Sequence, residues 1–219
     1  MIDSTRVEAV PEAKPTVLVI DDDQLLRESL GRLVRSVGLD AKLYASVPEF
    51  LNAGRPNTAS CLVLDVRLPG KNGLDFQREL VAADIHLPIV FITGHGDIPM
   101  SVQAMKRGAI EFLTKPFRDQ DLLEAIELGL ARDRARRETE EALASLRERF
   151  EALTPREREI MIEVVRGRLS KQIAFEFGVS EATVKVHRSN MMRKMKADSL
   201  PELGLMADKL DLLSKAASS

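Results

Sequence analysis

The segment Cys61–Asp65 consists of four apolar residues followed directly by one carboxylate, and a Pro-Gly turn comes at 69–70. A short, uninterrupted apolar run is typical of a parallel strand that is buried on both faces. In open α/β sheets, ligands and chemistry lie at the carboxyl ends of such strands. The segment therefore predicts a buried strand that presents Asp65 at the functional edge of a sheet.

Four other short apolar runs occur in the first half of the chain, and most of them also end in polar residues. Between the runs, apolar residues change to the spacing of a helix. Strands that alternate with helices predict an α/β fold, here a doubly wound five-stranded parallel sheet covered on both faces. Right-handed crossovers bring the carboxyl ends of its strands to one edge. The predicted strands are 17–20, 41–44, 61–65, 88–93 and 110–113, and the helices between them are 24–37, 46–51, 73–83 and 98–107.

The polar residues at the predicted strand ends are Asp21, Asp22, Asp65, Thr93 and Lys115. Carboxylates that meet at one edge repel each other unless a cation lies between them, and Mg²⁺ prefers oxygen ligands. Lys115 would neutralise charge during phosphoryl transfer, and Thr93 could donate a hydrogen bond to a phosphoryl oxygen. Asp65, alone at the centre, is the candidate phosphoryl acceptor, whereas Asp21 and Asp22 are candidate metal ligands. Singly, each residue is also common in turns, so the prediction depends on their convergence.

A charged segment follows the last predicted strand. Residues 119–150 contain no proline, and Leu122, Ile126 and Leu130 keep a helical face before charge dominates from 132 to 141. A continuous helix of ~30 residues would be roughly 45 Å long. A flexible charged linker over 132–141 is the alternative, and the sequence leaves both open.

Charge is distributed unevenly along the chain. Through residue 128 there are 14 Lys and Arg against 19 Asp and Glu, whereas from residue 154 onward there are 12 against 9. An acidic front and a mildly basic back indicate two modules with different partners. The single cysteine, Cys61, lies in an apolar run and is expected to be a buried thiol, as in the reducing cytosol. No apolar stretch is long enough to span a bilayer and no signal peptide is visible, so we expect a cytoplasmic protein.

The last part of the chain predicts a compact helical module. Thr154 is a good N-cap, and it is followed by a proline at the first helical position. A short helix at 170–177, a tight turn at 178–180 and a helix at 181–196 have the geometry of a helix–turn–helix, and a fourth helix covers 200–213. The helix at 181–196 carries five Lys and Arg against one acid, which suits contact with DNA phosphates. A helical bundle with a solvated basic face is the alternative, and charge and turn alone do not separate the two.

The first part of the chain resembles the receiver domain of response regulators. The resemblance lies in Asp21-Asp22, Asp65, Thr93, Phe112 and Lys115-Pro116. It implies the fold of the flavodoxin-like and CheY-like receivers, and transfer of a phosphoryl group from the phosphohistidine of a sensor histidine kinase to Asp65. It also implies Mg²⁺ bound by Asp22, Asp65 and the backbone carbonyl of Arg67, with Asp21 acting through water.

The same resemblance implies two further features of the pocket. The Lys115–Pro116 bond is expected to be cis. Thr93 and Phe112 are the implied switch residues, and because Phe112 stands where tyrosine is commoner, no hydroxyl takes part in the switch.

The C-terminal part resembles the LuxR-type four-helix DNA-binding domain. The resemblance lies in 153–157, 183–190 and Lys194-Met195. Joined to the receiver, it makes the chain similar to the NarL/FixJ class, and 93–100 and 113–117 favour the FixJ branch. Val184 is also expected to pack the corner of the helix–turn–helix, and Lys194 and Lys196 to extend the basic surface. The candidate DNA-binding residues are Lys171, Thr183, Val184, Lys185, His187, Arg188, Ser189 and Arg193.

Together these features predict a two-component transcriptional regulator in which phosphorylation of Asp65 leads to dimerisation and binding of two-fold DNA sites. The expected partners are a sensor histidine kinase, double-stranded DNA, a second copy of the chain and RNA polymerase, with no membrane. Mg²⁺ is the expected cofactor, and the only expected catalysis is the receiver's own phosphorylation and dephosphorylation. The expected organisation is a flexible tail at 1–15, a receiver at 16–128, a helical linker at 129–150 and the DNA-binding domain at 151–215.

Two other functions stay open at this point. The Asp21-Asp22-Asp23 segment weakly resembles the start of haloacid-dehalogenase-type phosphatases, in which the nucleophile would be the aspartate after the first strand. The second alternative is a phosphorelay module whose C-terminal helices bind protein instead of DNA. Identifying the phosphorylated aspartate separates the phosphatase from the regulator.

Overall fold

A computed structural model of the chain describes residues 14–95 and 98–212. Almost all of the predicted tail at 1–15 lies outside these residues, as do Gly96 and the last predicted residue of the fourth C-terminal helix. No described helix combines the length and the hydropathy needed to cross a bilayer.

The receiver part contains the predicted five-stranded sheet. Its strand order is β2-β1-β3-β6-β7, and all four pairs of neighbouring strands are parallel. A short antiparallel pair, β4 and β5, follows β3 and turns the chain back beside the end of that strand. The strands are β1 (Thr16–Ile20), β2 (Asp40–Tyr44), β3 (Ser60–Asp65), β4 (Arg67–Leu68), β5 (Lys71–Asn72), β6 (Ile89–Thr93) and β7 (Glu111–Thr114).

Helices cover both faces of the sheet. In β3, Leu62 and Leu64 lie in one buried core with α2, α3 and α4, whereas Cys61 and Val63 lie in the other with α1 and α5. This alternation is the two-residue side-chain period of a strand buried on both sides. The doubly wound α/β prediction is therefore confirmed. The helices are α1 (Gln24–Ser36), α2 (Val47–Ala53), α3 (Gly73–Ala82), α4 (Ile98–Lys106), α5 (Asp119–Glu151), α6 (Pro155–Val165), α7 (Ser170–Phe177), α8 (Glu181–Met195) and α9 (Leu200–Lys209).

Helix α5 is continuous over 33 residues, so the segment that the sequence left open between a helix and a flexible linker is helical. The chain divides into two compact units after Arg137, and α5 contributes residues to both. The domain boundaries expected at 128 and 150 stay predictions, because both fall within this single helix.

The C-terminal unit has its own core, formed by the end of α5 and by α6 to α9. The predicted cap is present as a capping box: Thr154 accepts from the backbone N–H of Glu157, whose carboxylate accepts from that of Thr154. Gly178 ends α7 with a φ of 63°, the left-handed conformation that glycine adopts without steric cost, and so allows the tight turn into α8. The predicted helix–turn–helix is therefore present.

Candidate phosphoryl-acceptor pocket and DNA interface

Three carboxylates meet at the carboxyl edge of the sheet. Asp21 follows β1 and Asp65 ends β3, and these two strands are neighbours. One oxygen each from Asp21, Asp22 and Asp65 lies within 4.8 Å of the other two. Asp21 and Asp65 are buried and Asp22 is exposed, so a cation held among them would keep an open side for water and a phosphoryl oxygen. This donor set fits Mg²⁺.

Lys115 connects two of these carboxylates. Its Nζ donates to Oδ2 of Asp65 at 2.6 Å and to Oδ2 of Asp21 at 2.7 Å. Burial lowers the pKa of Lys115, but the hydrogen bonds to Asp21 and Asp65 outweigh burial and raise the pKa above its ordinary value. For Asp21, burial raises the pKa despite the opposing hydrogen bond from Lys115. Lys115 is thus an ammonium at neutral pH and carries the positive charge of the pocket.

The two predicted switch residues lie on the strands beside the pocket. Thr93 ends β6, is fully buried, and accepts a hydrogen bond from the backbone N–H of His95 at 3.3 Å. Phe112 in β7 is half-buried, and its ring centroid lies 6.2 Å from that of Phe91. The Lys115–Pro116 bond is cis, as the resemblance implied.

The backbone around Asp65 leaves little space. The N–H of Arg67 donates to Oδ1 of Asp65 at 2.9 Å, which orients the carboxylate. A Cβ placed on Gly73 would lie 2.5 Å from the backbone oxygen of Asp65, so only glycine fits where α3 begins. That the Arg67 carbonyl binds metal stays a prediction.

Two further residues shape the Asp21 side of the pocket, and the sequence analysis missed both. Arg27 donates from Nη1 to the backbone oxygen of Asp21 at 2.6 Å. Asp23, the third acid of the run, accepts from the N–H groups of Leu25 and Leu26 and so caps α1. Asp23 is a good N-cap by type and position, which was an available sequence signal. No sequence signal indicated the contact of Arg27 with the Asp21 backbone.

The candidate DNA-binding residues fall on α7 and α8, and most of them are accessible. His187 and Arg188 are half-buried, and Arg188 donates from Nη1 to Oγ of Ser170 at 2.7 Å. Exposed side chains belong to Lys171, Thr183, Lys185, Ser189 and Arg193. These residues form a basic and polar surface of the kind that contacts DNA.

Comparisons with known proteins match both parts of the chain to known families. The response regulator receiver domain matches residues 17–127, and the luxR family of bacterial regulatory proteins matches residues 151–207. The chain belongs to the NarL/FixJ class of response regulators. The curated relatives include nodulation protein W of Bradyrhizobium diazoefficiens, 51% identical over 91% of this chain and 88% of that protein. They also include the transcriptional regulatory protein FixJ of Azorhizobium caulinodans, 44% identical over 90% of this chain and 93% of that protein.

Solved structures give the same result. The response regulator StyR is 49% identical and superposes with a TM-score of 0.83, covering 90% of this chain and all of that one. Because a receiver is joined to a LuxR-type domain, this response regulator is a two-component transcriptional regulator, with a kinase and DNA as its implied partners. Its class is that of a DNA-binding regulator and not of a metabolic enzyme.

Val184 of this response regulator packs in the core of the C-terminal unit, as one prediction held, and the second prediction, that it contacts DNA, is wrong. Its side chain is 0% exposed in the core of the C-terminal unit, whereas Val186 is 60% exposed. Val184, Met191 and Met195 lie on one helical face and are all buried. The spacing of these three residues was the available signal, and it leaves Val186 on the exposed face of α8.

The prediction that Lys194 extends the basic surface is also wrong. Its Nζ lies 2.7 Å from Oε2 of Glu157, a residue only 3% exposed, and it donates to the backbone oxygen of Ala152 at 3.3 Å. Lys194 is therefore an internal partner of the α6 cap. The sequence shows no signal for this pair, because its members are 37 residues apart.

Proposed function

We propose that this response regulator accepts a phosphoryl group on Asp65 from a sensor histidine kinase, in a reaction that the receiver itself catalyses. The observation that supports this most is the bridge from Lys115 Nζ to Asp65 and Asp21, at a sheet edge that also holds Asp22. The fixed positive charge of Lys115 beside a buried carboxylate suits the charge that develops in phosphoryl transfer.

In the proposed step, one Asp65 oxygen attacks phosphorus while the bond between phosphorus and the histidine nitrogen breaks. The electron pair of that bond returns to the imidazole, and an acyl phosphate forms on Asp65. Lys115 offsets the charge of the phosphoryl oxygens, and Arg67 N–H holds the other Asp65 oxygen. Mg²⁺, when bound by Asp21, Asp22, Asp65 and the Arg67 carbonyl, supplies further charge neutralisation.

A new phosphoryl group would change the hydrogen bonds of the pocket. The acyl phosphate carries about two negative charges at neutral pH where the Asp65 carboxylate carried one, and its oxygens compete for Lys115 and for the hydroxyl of Thr93. A shift of Thr93 toward these oxygens would free space beside Phe112 for its ring to turn inward. We propose that this rearrangement leads to dimerisation, binding of two-fold DNA sites and contact with RNA polymerase. We keep the receiver at 16–128, the linker at 129–150 and the DNA-binding domain at 151–215 as the proposed organisation.

The phosphorylated residue can be identified directly. Incubation with acetyl phosphate and Mg²⁺, followed by borohydride reduction, converts an aspartyl phosphate to homoserine, which mass spectrometry locates. We expect homoserine at position 65. Modification of Asp21 instead would contradict the proposal and favour the phosphatase alternative.

Lys185→Ala is expected to weaken DNA binding and to flatten its salt dependence. Each lost phosphate contact reduces the slope of log K against log salt by about 0.9. Val186→Ala, next to it on α8, removes an apolar side chain that suits a thymine methyl, so it should change base preference and leave the slope unaltered. Fluorescence anisotropy over a salt series measures both slopes. A Lys185→Ala variant with the wild-type slope would exclude a phosphate contact by Lys185.

A further inference from the structure

One buried carboxylate plays no part in the phosphoryl pocket. Asp133 of α5 is 0% exposed. Its Oδ2 accepts from the backbone N–H of Ser60 at 2.9 Å, at the first residue of β3. Three arginines surround it: Arg55 Nη2 lies 2.6 Å from Oδ1, Arg136 Nη2 lies 2.8 Å from Oδ1, and Arg137 Nε lies 2.9 Å from Oδ2. We call Asp133, these three arginines and the Ser60 N–H the Asp133 latch.

The Asp133 carboxyl group of the latch is ionised. Burial raises the pKa of Asp133, but the hydrogen bonds from Arg136, the Ser60 N–H, Arg55 and Arg137 outweigh burial and hold the pKa below its ordinary value. A buried carboxylate with four donors is fully satisfied, whereas one left without partners would be strongly destabilising.

Two of the arginines connect the latch to loops on the receiver. Arg137 also donates to Oδ1 of Asn57 at 3.3 Å and to the backbone oxygen of Pro56 at 3.2 Å. Arg55 donates from Nη1 to the backbone oxygen of His86 at 3.0 Å. The latch therefore joins α5 to the segment before β3 and to the segment before β6, at the edge of the sheet opposite Asp65.

The latch is also the last place where α5 is buried against the receiver. Gly129, one turn earlier, packs so closely on Cys61 that a Cβ there would lie 2.5 Å from Sγ. Leu130 is the last α5 residue of the receiver core. In the fully described stretch from 131 to 145, Asp133 is the one buried side chain, and the next buried residue, Leu146, belongs to the C-terminal core.

A helical stretch of this length with a single buried side chain gains little from tertiary packing, which supplies most of the stability of helices in proteins. The segment from 131 to 145 is rich in arginine and glutamate and has one half-buried leucine, Leu143. Its helical structure therefore needs contacts with residues outside the segment, and Arg55 and the Ser60 N–H supply them through Asp133 at the receiver end.

We propose that the Asp133 latch keeps residues 131–145 helical, and so makes the connection between receiver and DNA-binding unit a helix instead of a flexible chain. Its second consequence rests on the proposed function: opening the latch weakens the control that Asp65 phosphorylation has over DNA binding. The latch contains no residue of the phosphoryl pocket.

Hydrogen exchange of the full chain tests the first consequence. Arg137→Gln keeps Asp133 hydrogen-bonded to its other three donors and should fold, whereas Asp133→Asn removes the charge that all three arginines share. In both variants we expect amides at 131–145 to exchange at least tenfold faster, with exchange in β1 and at 61–65 of β3 unchanged. Arg134→Gln is the matched control, since Arg134 is exposed on the same helix and should behave as wild type. Wild-type exchange at 131–145 in Arg137→Gln would overturn the proposal.

DNA affinity with and without beryllofluoride tests the second consequence. We expect Arg137→Gln to reduce the ratio of the two affinities at least threefold, with acetyl phosphate still phosphorylating Asp65 at the wild-type rate. An unchanged ratio despite faster exchange would overturn the regulatory part alone. If beryllofluoride does not change the DNA affinity of the wild type, the proposed function is wrong. The hydrogen-exchange result still decides whether the latch keeps 131–145 helical.

Discussion

Replacement of Asp65 by asparagine is expected to abolish the response of both DNA affinity and oligomeric state to acetyl phosphate. An amide cannot form the acyl phosphate, and it also removes one carboxylate from the candidate metal site. The fold should persist, because Lys115 keeps its ion pair with Asp21 at 2.7 Å. Sedimentation velocity and fluorescence anisotropy, each with Mg²⁺ and with and without acetyl phosphate, measure the two responses.

The matched control is Asp121→Asn at the start of α5. Asp121 is paired with Arg118 outside the pocket, and this variant should respond to acetyl phosphate as wild type does. Dimerisation of Asp65→Asn on addition of acetyl phosphate would mean that a second residue accepts the phosphoryl group, and the assignment of Asp65 would then be wrong.

Lys194→Met is expected to destabilise the C-terminal unit by about 3 kcal/mol, because it leaves the buried Glu157 carboxylate without its ionic partner. Glu157 keeps its hydrogen bond from the Thr154 N–H at 2.8 Å, so the loss should not exceed this figure. Exchange of the core amides in α6 and α8 reports unfolding of this unit, and 3 kcal/mol corresponds to roughly a hundredfold acceleration.

Lys185→Met on the same helix is the control. Lys185 is exposed, with a pair to Glu181 at 3.2 Å that is worth little in water, so this variant should lose DNA affinity and keep its stability. The reverse result, with Lys194→Met stable but weak in DNA binding, would return Lys194 to the DNA surface where the sequence analysis had placed it.

The effect of Lys194→Met should depend on pH. Burial raises the pKa of Glu157, but hydrogen bonds from Lys194 and Thr154 outweigh burial and hold the pKa below its ordinary value of 4.5. A carboxylate with a lowered pKa in the folded state stabilises the fold above its unfolded pKa, and that contribution is lost as the pH falls through the folded value. The difference between wild type and Lys194→Met should therefore be full at neutral pH and shrink as the pH falls toward the lowered pKa of wild-type Glu157.

Local patterns were enough to predict most of the receiver. The apolar runs before Asp21, Asp65 and Thr93 became strands, and these residues lie at one edge because parallel strands with right-handed crossovers leave no other arrangement. The caps at Ser46 and Thr154 were also predictable, since a cap depends on residues three positions apart.

The fold class, the two kinds of domain and the convergence of Asp21, Asp65 and Lys115 could all be predicted, because they follow from short-range periodicity and strand topology. Tertiary packing, in contrast, decided that Arg27 contacts the backbone oxygen of Asp21. It also decided that Lys194 pairs with Glu157 and that α5 continues past Asp133. A charged side chain that the helical pattern places on a solvent-exposed face can instead pair with a group tens of residues away. Such pairs form only once the chain has packed.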